Sequence, residues 1–133
     1  MTYTPAIGDY LTRPKKDIFR GIITHIGAVI GHNQVLQNTP EKGEHVATFE
    51  EFANGELVKA HKTGAHPAKV HANVQRILEN PKSYHPVARN CEQTATEAVE
   101  GKPRSPQMAV IICCVAGFII AIFVAVSFLK RSR

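Results

Sequence analysis

The feature that most constrains this chain is a long apolar segment close to its C-terminus. Residues 108–129 contain no charged side chain, and only Gly117 and Ser127 break the run of apolar residues. A helix rises about 1.5 Å per residue, so this segment would be about 33 Å long, enough to cross a hydrocarbon layer about 30 Å thick. We therefore predict a folded domain at residues 1–107, a transmembrane helix at 108–129 and a short basic tail at 130–133.

The charge distribution supports the same division. Lys130, Arg131 and Arg133 account for three of the 16 Lys and Arg residues, which leaves 13 against 11 Asp and Glu in residues 1–107. Most of the net charge of +5 therefore follows the apolar segment, where basic residues lie favourably among lipid phosphates. Because residues 1–107 contain no basic run with interleaved aromatic residues, nucleic acid is not an expected partner.

The position of the apolar segment predicts a single-pass, tail-anchored membrane protein. Four residues follow it, and residues 1–10 lack the cationic and apolar pattern of a targeting signal. Basic residues flank both ends, so the positive-inside rule does not set the orientation, and the missing export signal favours a cytoplasmic domain. Cys113 and Cys114 lie within the segment, so the three cysteines cannot form a disulfide framework, which fits a reducing compartment.

Residues 1–107 alternate between strand-like and helix-like patterns. Strands are predicted from residue 8 to about 14, then at 22–31, 34–38, 45–49 and 57–61, with a polar loop at 12–21 that carries Arg13, Lys15 and Lys16. Helices are predicted at 49–53, 67–78 and 91–100, the first and last of which begin with capping-box spacing. This order predicts an α+β domain in which a small antiparallel sheet packs on helices.

Cys91 is the one cysteine of residues 1–107, and it lies in the first turn of a predicted helix. The unpaired N–H groups and the positive end of the helix dipole favour a thiolate there, which predicts a lowered pKa. A thiolate in this position is the usual nucleophile of thiol hydrolases and acyltransferases. The alternative is a buried cysteine that packs as a small apolar residue.

A thiol nucleophile needs a base, and the chain contains seven histidines. His25 lies within a predicted apolar strand, where it is either that base or a core residue. His61, His66 and His71 are five residues apart, which suits neither one helix face nor a zinc motif, and His85 is the histidine nearest to the cysteine in sequence. No metal motif, phosphate-binding glycine loop or serine elbow is present, so neither metal nor cofactor is expected.

Several segments of the chain, in their order, resemble one known family. They are GDYL, THIGAVIG, QVLQNTPEKG, FEEFANG and ARNCEQTATEAVEGKPRSPQ, followed by the apolar tail. They resemble the lecithin:retinol acyltransferase-like family, which includes the H-Ras-like phospholipase A/acyltransferases, among the circularly permuted papain-like thiol enzymes. The most specific parts are Asn-Cys-Glu at residues 90–92 and the His-x-x-x-x-x-Gly strand at 25–31. The resemblance covers about residues 7–107 and implies a permuted papain-like domain, in which the strand of His25 faces the helix of Cys91.

Two positions depart from the pattern of that family. Gln93 stands where the family usually has His, and Gln37, twelve residues after His25, stands where it typically has a second His. A glutamine amide oxygen can accept the imidazole N–H and hold its tautomer, although it stabilises an imidazolium less than a charged partner does. His45 is the alternative orienting residue.

The resemblance implies a thiol acyl-transfer enzyme that acts on glycerophospholipid esters in the membrane through an acyl-cysteine intermediate. Cys91 would be the nucleophile, His25 the base, and Gln37 the residue that orients His25. Two alternatives stay open at this point. One is a membrane-anchored thiol amidase or peptidase of the same architecture, and the other is a catalytically silent, membrane-bound interaction module.

Overall fold

The computed structural model describes residues 4–16 and 22–131. Within them the elements are β1 (Tyr10–Pro14), β2 (Thr24–Gly31), β3 (Gln34–Thr39), β4 (Gly43–Ala47), α1 (Phe49–Ala53), β5 (Lys59–His61), α2 (Pro67–Glu79), α3 (Cys91–Glu100) and α4 (Pro106–Arg131). The five strands form one antiparallel sheet in the order β4-β3-β2-β1-β5. The predicted α+β architecture, with a small antiparallel sheet and a C-terminal apolar helix, is confirmed. Residues 17–21 of the predicted loop and 132–133 of the predicted tail lie outside the described residues.

Side-chain caps fix where α1 and α3 begin. Thr48 accepts a hydrogen bond from the N–H of Glu51 (3.1 Å), and Asn90 accepts one from the N–H of Gln93 (3.0 Å). In both helices the third residue returns a hydrogen bond to the backbone of the cap, so each N-terminus is a complete capping box. Gly101 ends α3 in the left-handed conformation, with φ of 84°. Both helices therefore have the bounds predicted from the sequence.

Several strand ends differ from the predictions. β4 ends at Ala47 rather than at residue 49, because Thr48 is the N-cap of α1. β2 begins at Thr24 rather than at residue 22, and the side chain of Ile22 is 79% exposed. β5 has three residues and pairs with β1 at the edge of the sheet, which explains its weak sequence pattern.

Apolar side chains of β2 and β3 alternate between the two faces of the sheet, as extended strands require. One face packs on α2 and α3; its buried cluster is Ala28, Ile30, Leu36, Val70, Val74, Ile77, Ala95, Ala98 and Val99. The other face packs on α1 and contains Leu11, Val29, Val35 and Phe52. The sheet therefore has a core on each side, and α3 covers only one of them.

A buried ion-pair network joins β4 to α3. The guanidinium of Arg89 contacts the carboxylates of Glu44 and Glu97, and its Nε donates to Glu44 Oε1 at 2.6 Å. The hydroxyl of Thr94 also donates to Glu44 Oε1, at 2.8 Å. Because Arg89 lies two residues before Cys91, this network holds the start of α3 against the sheet.

The C-terminal helix α4 has 26 residues, and its most apolar stretch has a mean hydropathy of 3.2. None of its residues is fully buried by the rest of the chain. It is therefore long and apolar enough to cross a membrane, and within the described residues it is the one helix with that property. It begins at Pro106, two residues before the predicted segment.

Candidate active site

Cys91 is the first residue of α3, and its thiol is enclosed, with 4% of the residue exposed. Two backbone N–H groups, those of Ile26 in β2 and Glu92 in α3, lie close enough to the thiol to favour its thiolate form. Ile26 directly follows His25. The thiol thus lies beside the strand that carries the predicted base, although the His25 side chain is on the face of the sheet that α3 does not cover.

Burial raises the pKa of the Cys91 thiol above its ordinary value, which overturns the lowered pKa predicted from its position at a helix start. The N–H groups of Ile26 and Glu92 and the charge of Lys15 all favour the thiolate. Removal of the thiolate from water is the largest effect, and it opposes them. The thiol is therefore protonated at neutral pH, and nucleophilic attack by it would require a base.

His25, Gln37 and His45 form a hydrogen-bonded chain across three neighbouring strands. His25 Nε2 lies 2.8 Å from Gln37 Oε1, and Gln37 Nε2 lies 3.1 Å from His45 Nε2. His45 Nδ1 in turn lies 2.8 Å from the backbone oxygen of Gly43. Gln37 and His45 are directly opposed between β3 and β4, so their side chains share one face of the sheet.

The backbone oxygen of Gly43 sets the direction of every hydrogen bond in this chain. A carbonyl oxygen only accepts, so His45 carries its proton on Nδ1 and, as a neutral imidazole, accepts at Nε2. The Gln37 amide therefore donates to His45 and turns its oxygen toward His25. His25 must then donate from Nε2, which leaves His25 Nδ1 as the nitrogen with a free lone pair. This is the tautomer that a general base needs.

The surroundings of His25 keep it neutral. Burial is the main cause that lowers the pKa of His25 to about 4, and the charges of Arg13 and Lys15 act in the same direction. The ring stacks on Phe52 with centroids 5.4 Å apart. Gly27 permits this packing, because a Cβ at that position would lie 2.7 Å from the Phe52 ring. His25 is therefore an uncharged proton acceptor at neutral pH.

Two adjoining clefts open on these groups. The larger, of about 550 Å³, is lined by His25, Gln37 and His45 together with basic side chains at its rim (Arg13, Lys15, Lys16 and Lys42). The smaller, of about 210 Å³, contains Cys91. Lys15 and Tyr84 line both clefts, and the Lys15 ammonium lies 5.9 Å from the centre of the Tyr84 ring. A bound molecule can therefore contact both groups of side chains.

The start of α4 is hydrogen-bonded to the residues beside Cys91 and His25, a connection that the sequence analysis missed. The Glu92 carboxylate accepts from the Ser105 hydroxyl (2.6 Å) and from the backbone N–H of Gln107 (3.1 Å). The Gln107 side-chain oxygen accepts from the backbone N–H of Thr24 (3.1 Å). No pattern in the sequence predicts these contacts. From the sequence, Glu92 is only an acidic residue that is favourable in the first turn of a helix.

Three other histidines have hydrogen bonds of a structural kind. His61 bonds to Thr12 Oγ1 at 2.8 Å, and His71 donates to the backbone oxygen of Ile30 at 3.0 Å. His85, the histidine nearest to Cys91 in sequence, is exposed, and its Nδ1 accepts from the N–H groups of its own turn. Across residues 4–16 and 22–131, no three His, Cys, Asp or Glu side chains are grouped so that they could hold a metal ion.

No protein-family model matches this chain, and no curated protein matches it.

Proposed function

We propose that the protein is a thiol acyl-transfer enzyme that acts on the ester bonds of glycerophospholipids. The observation that carries the proposal is the chain from Gly43 through His45 and Gln37 to His25. It fixes a neutral imidazole with a free Nδ1 on the residue before Ile26, whose backbone N–H favours the Cys91 thiolate. A buried base of fixed tautomer on the strand beside a protonated thiol suits proton transfer during nucleophilic attack.

The reaction would proceed in two balanced steps. In the first step Cys91 Sγ attacks the ester carbonyl carbon and gives its proton to His25 Nδ1. The C–S bond forms and the C–O bond of the ester breaks. The departing glycerol oxygen takes the proton from His25. A water, amine or alcohol then attacks the thioester, loses its proton to His25 and releases the thiolate, which recovers that proton. The Cys91 backbone N–H is not used by the capping box and would stabilise the oxyanion.

A permuted papain-like arrangement is part of the proposal. In this chain the base precedes the nucleophile, the base lies on a strand, and the nucleophile begins a helix. Gln37 takes the position at which a third polar group orients the imidazole, and its 2.8 Å contact with His25 supports that role. His45, which was the alternative orienting residue, lies one step further back and orients Gln37.

The apolar helix supports the choice of a lipid substrate. Anchored through residues 108–129, as a single-pass protein with its domain on the cytoplasmic side, the site would remain at a surface rich in phospholipid. A fixed high local concentration of substrate favours an enzyme that acts on bilayer lipids. The basic side chains at the rim of the larger cleft suit the anionic phosphate of such a substrate.

The test is the intact mass of the full chain after incubation with phosphatidylcholine vesicles. We expect a mass increase of one acyl group in the wild type, loss of the adduct in Cys91→Ala, and its persistence in the control variants Cys113→Ala and Cys114→Ala. Cleavage of a peptide substrate without lipid deacylation would instead support a thiol peptidase. Absence of both reactions would support an interaction module without catalytic activity.

A further inference from the structure

The pocket that contains Cys91 is bounded on one side by the start of α4. Its volume is about 210 Å³, and its apolar lining consists of Ile23, Tyr84, Pro86, Met108 and Ile111. Met108 and Ile111 lie one turn apart on one face of α4 and are half-buried, whereas residues 112–131 are exposed. The apolar wall of the pocket is therefore continuous with the apolar surface of the helix.

Hydrogen bonds hold α4 in place against this pocket. Residues 101–105 are the whole connection between α3 and α4. Within it, the Thr96 hydroxyl accepts from the N–H of Arg104 (2.8 Å) and donates to the Arg104 carbonyl oxygen (2.9 Å). The Glu92 carboxylate then bonds to the first turn of α4. The helix cannot move away from the pocket unless these bonds break.

The depth of the pocket matches the depth of a lipid ester. Met108 is the first residue of the uncharged segment, so in a bilayer Met108 and Ile111 would lie where the hydrocarbon layer begins. The ester groups of glycerophospholipids lie at this same boundary between headgroups and hydrocarbon. An ester at that height would be level with the pocket in which Cys91 lies.

We propose that this pocket binds the first part of a hydrocarbon chain of a bilayer lipid, which enters along the exposed surface of α4. A water molecule occupies about 30 Å³, and a methylene group is of similar size, so the pocket holds roughly seven methylenes. The remainder of the chain would stay in the bilayer. The assignment rests on the proposed function, and it makes Met108 and Ile111 the residues that recognise the acyl chain.

The experiment compares two reagents that alkylate Cys91 in the full chain in detergent micelles: iodoacetamide and its N-dodecyl derivative. The ratio of the two rates measures binding of the hydrocarbon chain, and it requires no acyl transfer. We expect Ile111→Trp, which fills the pocket, to lower the dodecyl-to-unsubstituted ratio by at least about tenfold, a typical effect of steric discrimination in an apolar pocket. Ile111→Ala, which enlarges the pocket, should leave the ratio at the wild-type value or raise it.

Ile112→Trp is the matched control, because Ile112 is the next residue, is 52% exposed and does not line the pocket. It changes the hydropathy of α4 equally and should keep the wild-type ratio. The proposal is wrong if Ile111→Trp and Ile112→Trp give the same ratio of dodecyl to unsubstituted alkylation rates. That result would mean that the pocket does not bind the hydrocarbon chain, and that detergent, a second copy of the chain or another helix occupies it. A normal ratio without any acyl adduct on Cys91 would overturn the proposed function and leave the hydrocarbon pocket standing.

Discussion

The imidazole of His25 donates from Nε2 to the amide oxygen of Gln37 across 2.8 Å. The two residues are twelve positions apart and lie on adjacent strands of the β2–β3 hairpin. The orientation of that amide depends on His45, which accepts from its nitrogen. A rotation of one amide group would therefore move the proton of His25 from Nε2 to Nδ1 and remove the base.

The first prediction follows from this dependence. His45→Lys offers only donors to Gln37, so the amide should rotate and present its NH₂ group to His25. We expect lipid turnover to fall by up to about 10⁴-fold, the effect known for a wrong catalytic tautomer. His45→Asn retains an acceptor and should lose less activity.

The double variant His45→Lys with Gln37→Glu tests the cause. A carboxylate accepts from both neighbours, so it should restore the Nε2–H tautomer and most of the lost turnover. If His45→Lys has the same activity with and without the Gln37→Glu substitution, the amide orientation does not control His25. The measurement is the initial rate on phospholipid vesicles.

The second prediction concerns the thiol. Because burial raises the pKa of Cys91, alkylation by iodoacetamide in a Cys113→Ser and Cys114→Ser background should be slow at neutral pH. Its rate should rise with an apparent pKa above the value of about 8.5 for a free cysteine. His25→Gln should abolish turnover and leave this pH profile nearly unchanged. A rate that is already maximal near pH 6 would mean that a thiolate–imidazolium pair is formed before substrate binds.

The third prediction concerns stability as a function of pH. The pKa of His25 is about 4 in the folded protein and about 6.5 in the unfolded chain, so the unfolded state binds the extra proton between these values. The contribution of His25 to the free energy of unfolding should therefore be fully present above about pH 6.5. It should fall by roughly 3 kcal/mol as pH decreases toward 4. His25→Gln should flatten this decrease. Urea unfolding curves at a series of pH values measure it, and an equal slope in both proteins would contradict the assignment.

The fourth prediction is that deletion of residues 108–133 leaves a folded domain. Every buried residue of both clusters lies between residues 11 and 99, and α4 contributes none of them. The truncated protein should show a cooperative unfolding transition and slower turnover of bilayer substrate. Loss of the transition would mean that α4 is required for the core. Circular dichroism during thermal unfolding gives the answer.

The fifth prediction addresses the buried ion pair. Glu44 and Arg89 are 5% and 6% exposed, so Arg89→Met would leave a buried carboxylate without its counter-charge. We expect a loss of about 3–5 kcal/mol in the free energy of unfolding. The double variant Arg89→Met with Glu44→Leu removes both charges and should be more stable than the single one. A smaller effect in the single variant would indicate that water reaches Glu44.

The sequence is sufficient to predict the bounds of those helices whose ends carry capping residues. Thr48 with Glu51, and Asn90 with Gln93 and Gly101, define α1 and α3 to the residue, because caps act within a few positions. The hairpin of β2 and β3 can also be predicted, because its two strands are neighbours in the sequence. β5 cannot be predicted in this way, because it is stabilised by pairing with β1, about fifty positions earlier in the chain.

The candidate site also has a part that the sequence predicts and a part that it does not. Residue type, order and resemblance are sufficient to propose Cys91, His25 and Gln37 as the site residues. The predicted pKa of Cys91 was wrong because burial, which the sequence does not display, outweighs the helix start. The contacts of Glu92 and Thr24 with the beginning of α4 join segments more than ten residues apart, and no periodic pattern encodes them.

The five-residue connection between α3 and α4 has a consequence for kinetics. If the protein is the membrane-anchored enzyme proposed above, a site tied this closely to α4 would reach only the leaflet in which the connection emerges, and it would sample substrate by lateral diffusion in two dimensions. Its rate should then depend on the mole fraction of substrate in the surface and not on the bulk lipid concentration. Dilution of substrate with an inert lipid would slow it, whereas dilution of the vesicles in buffer would not.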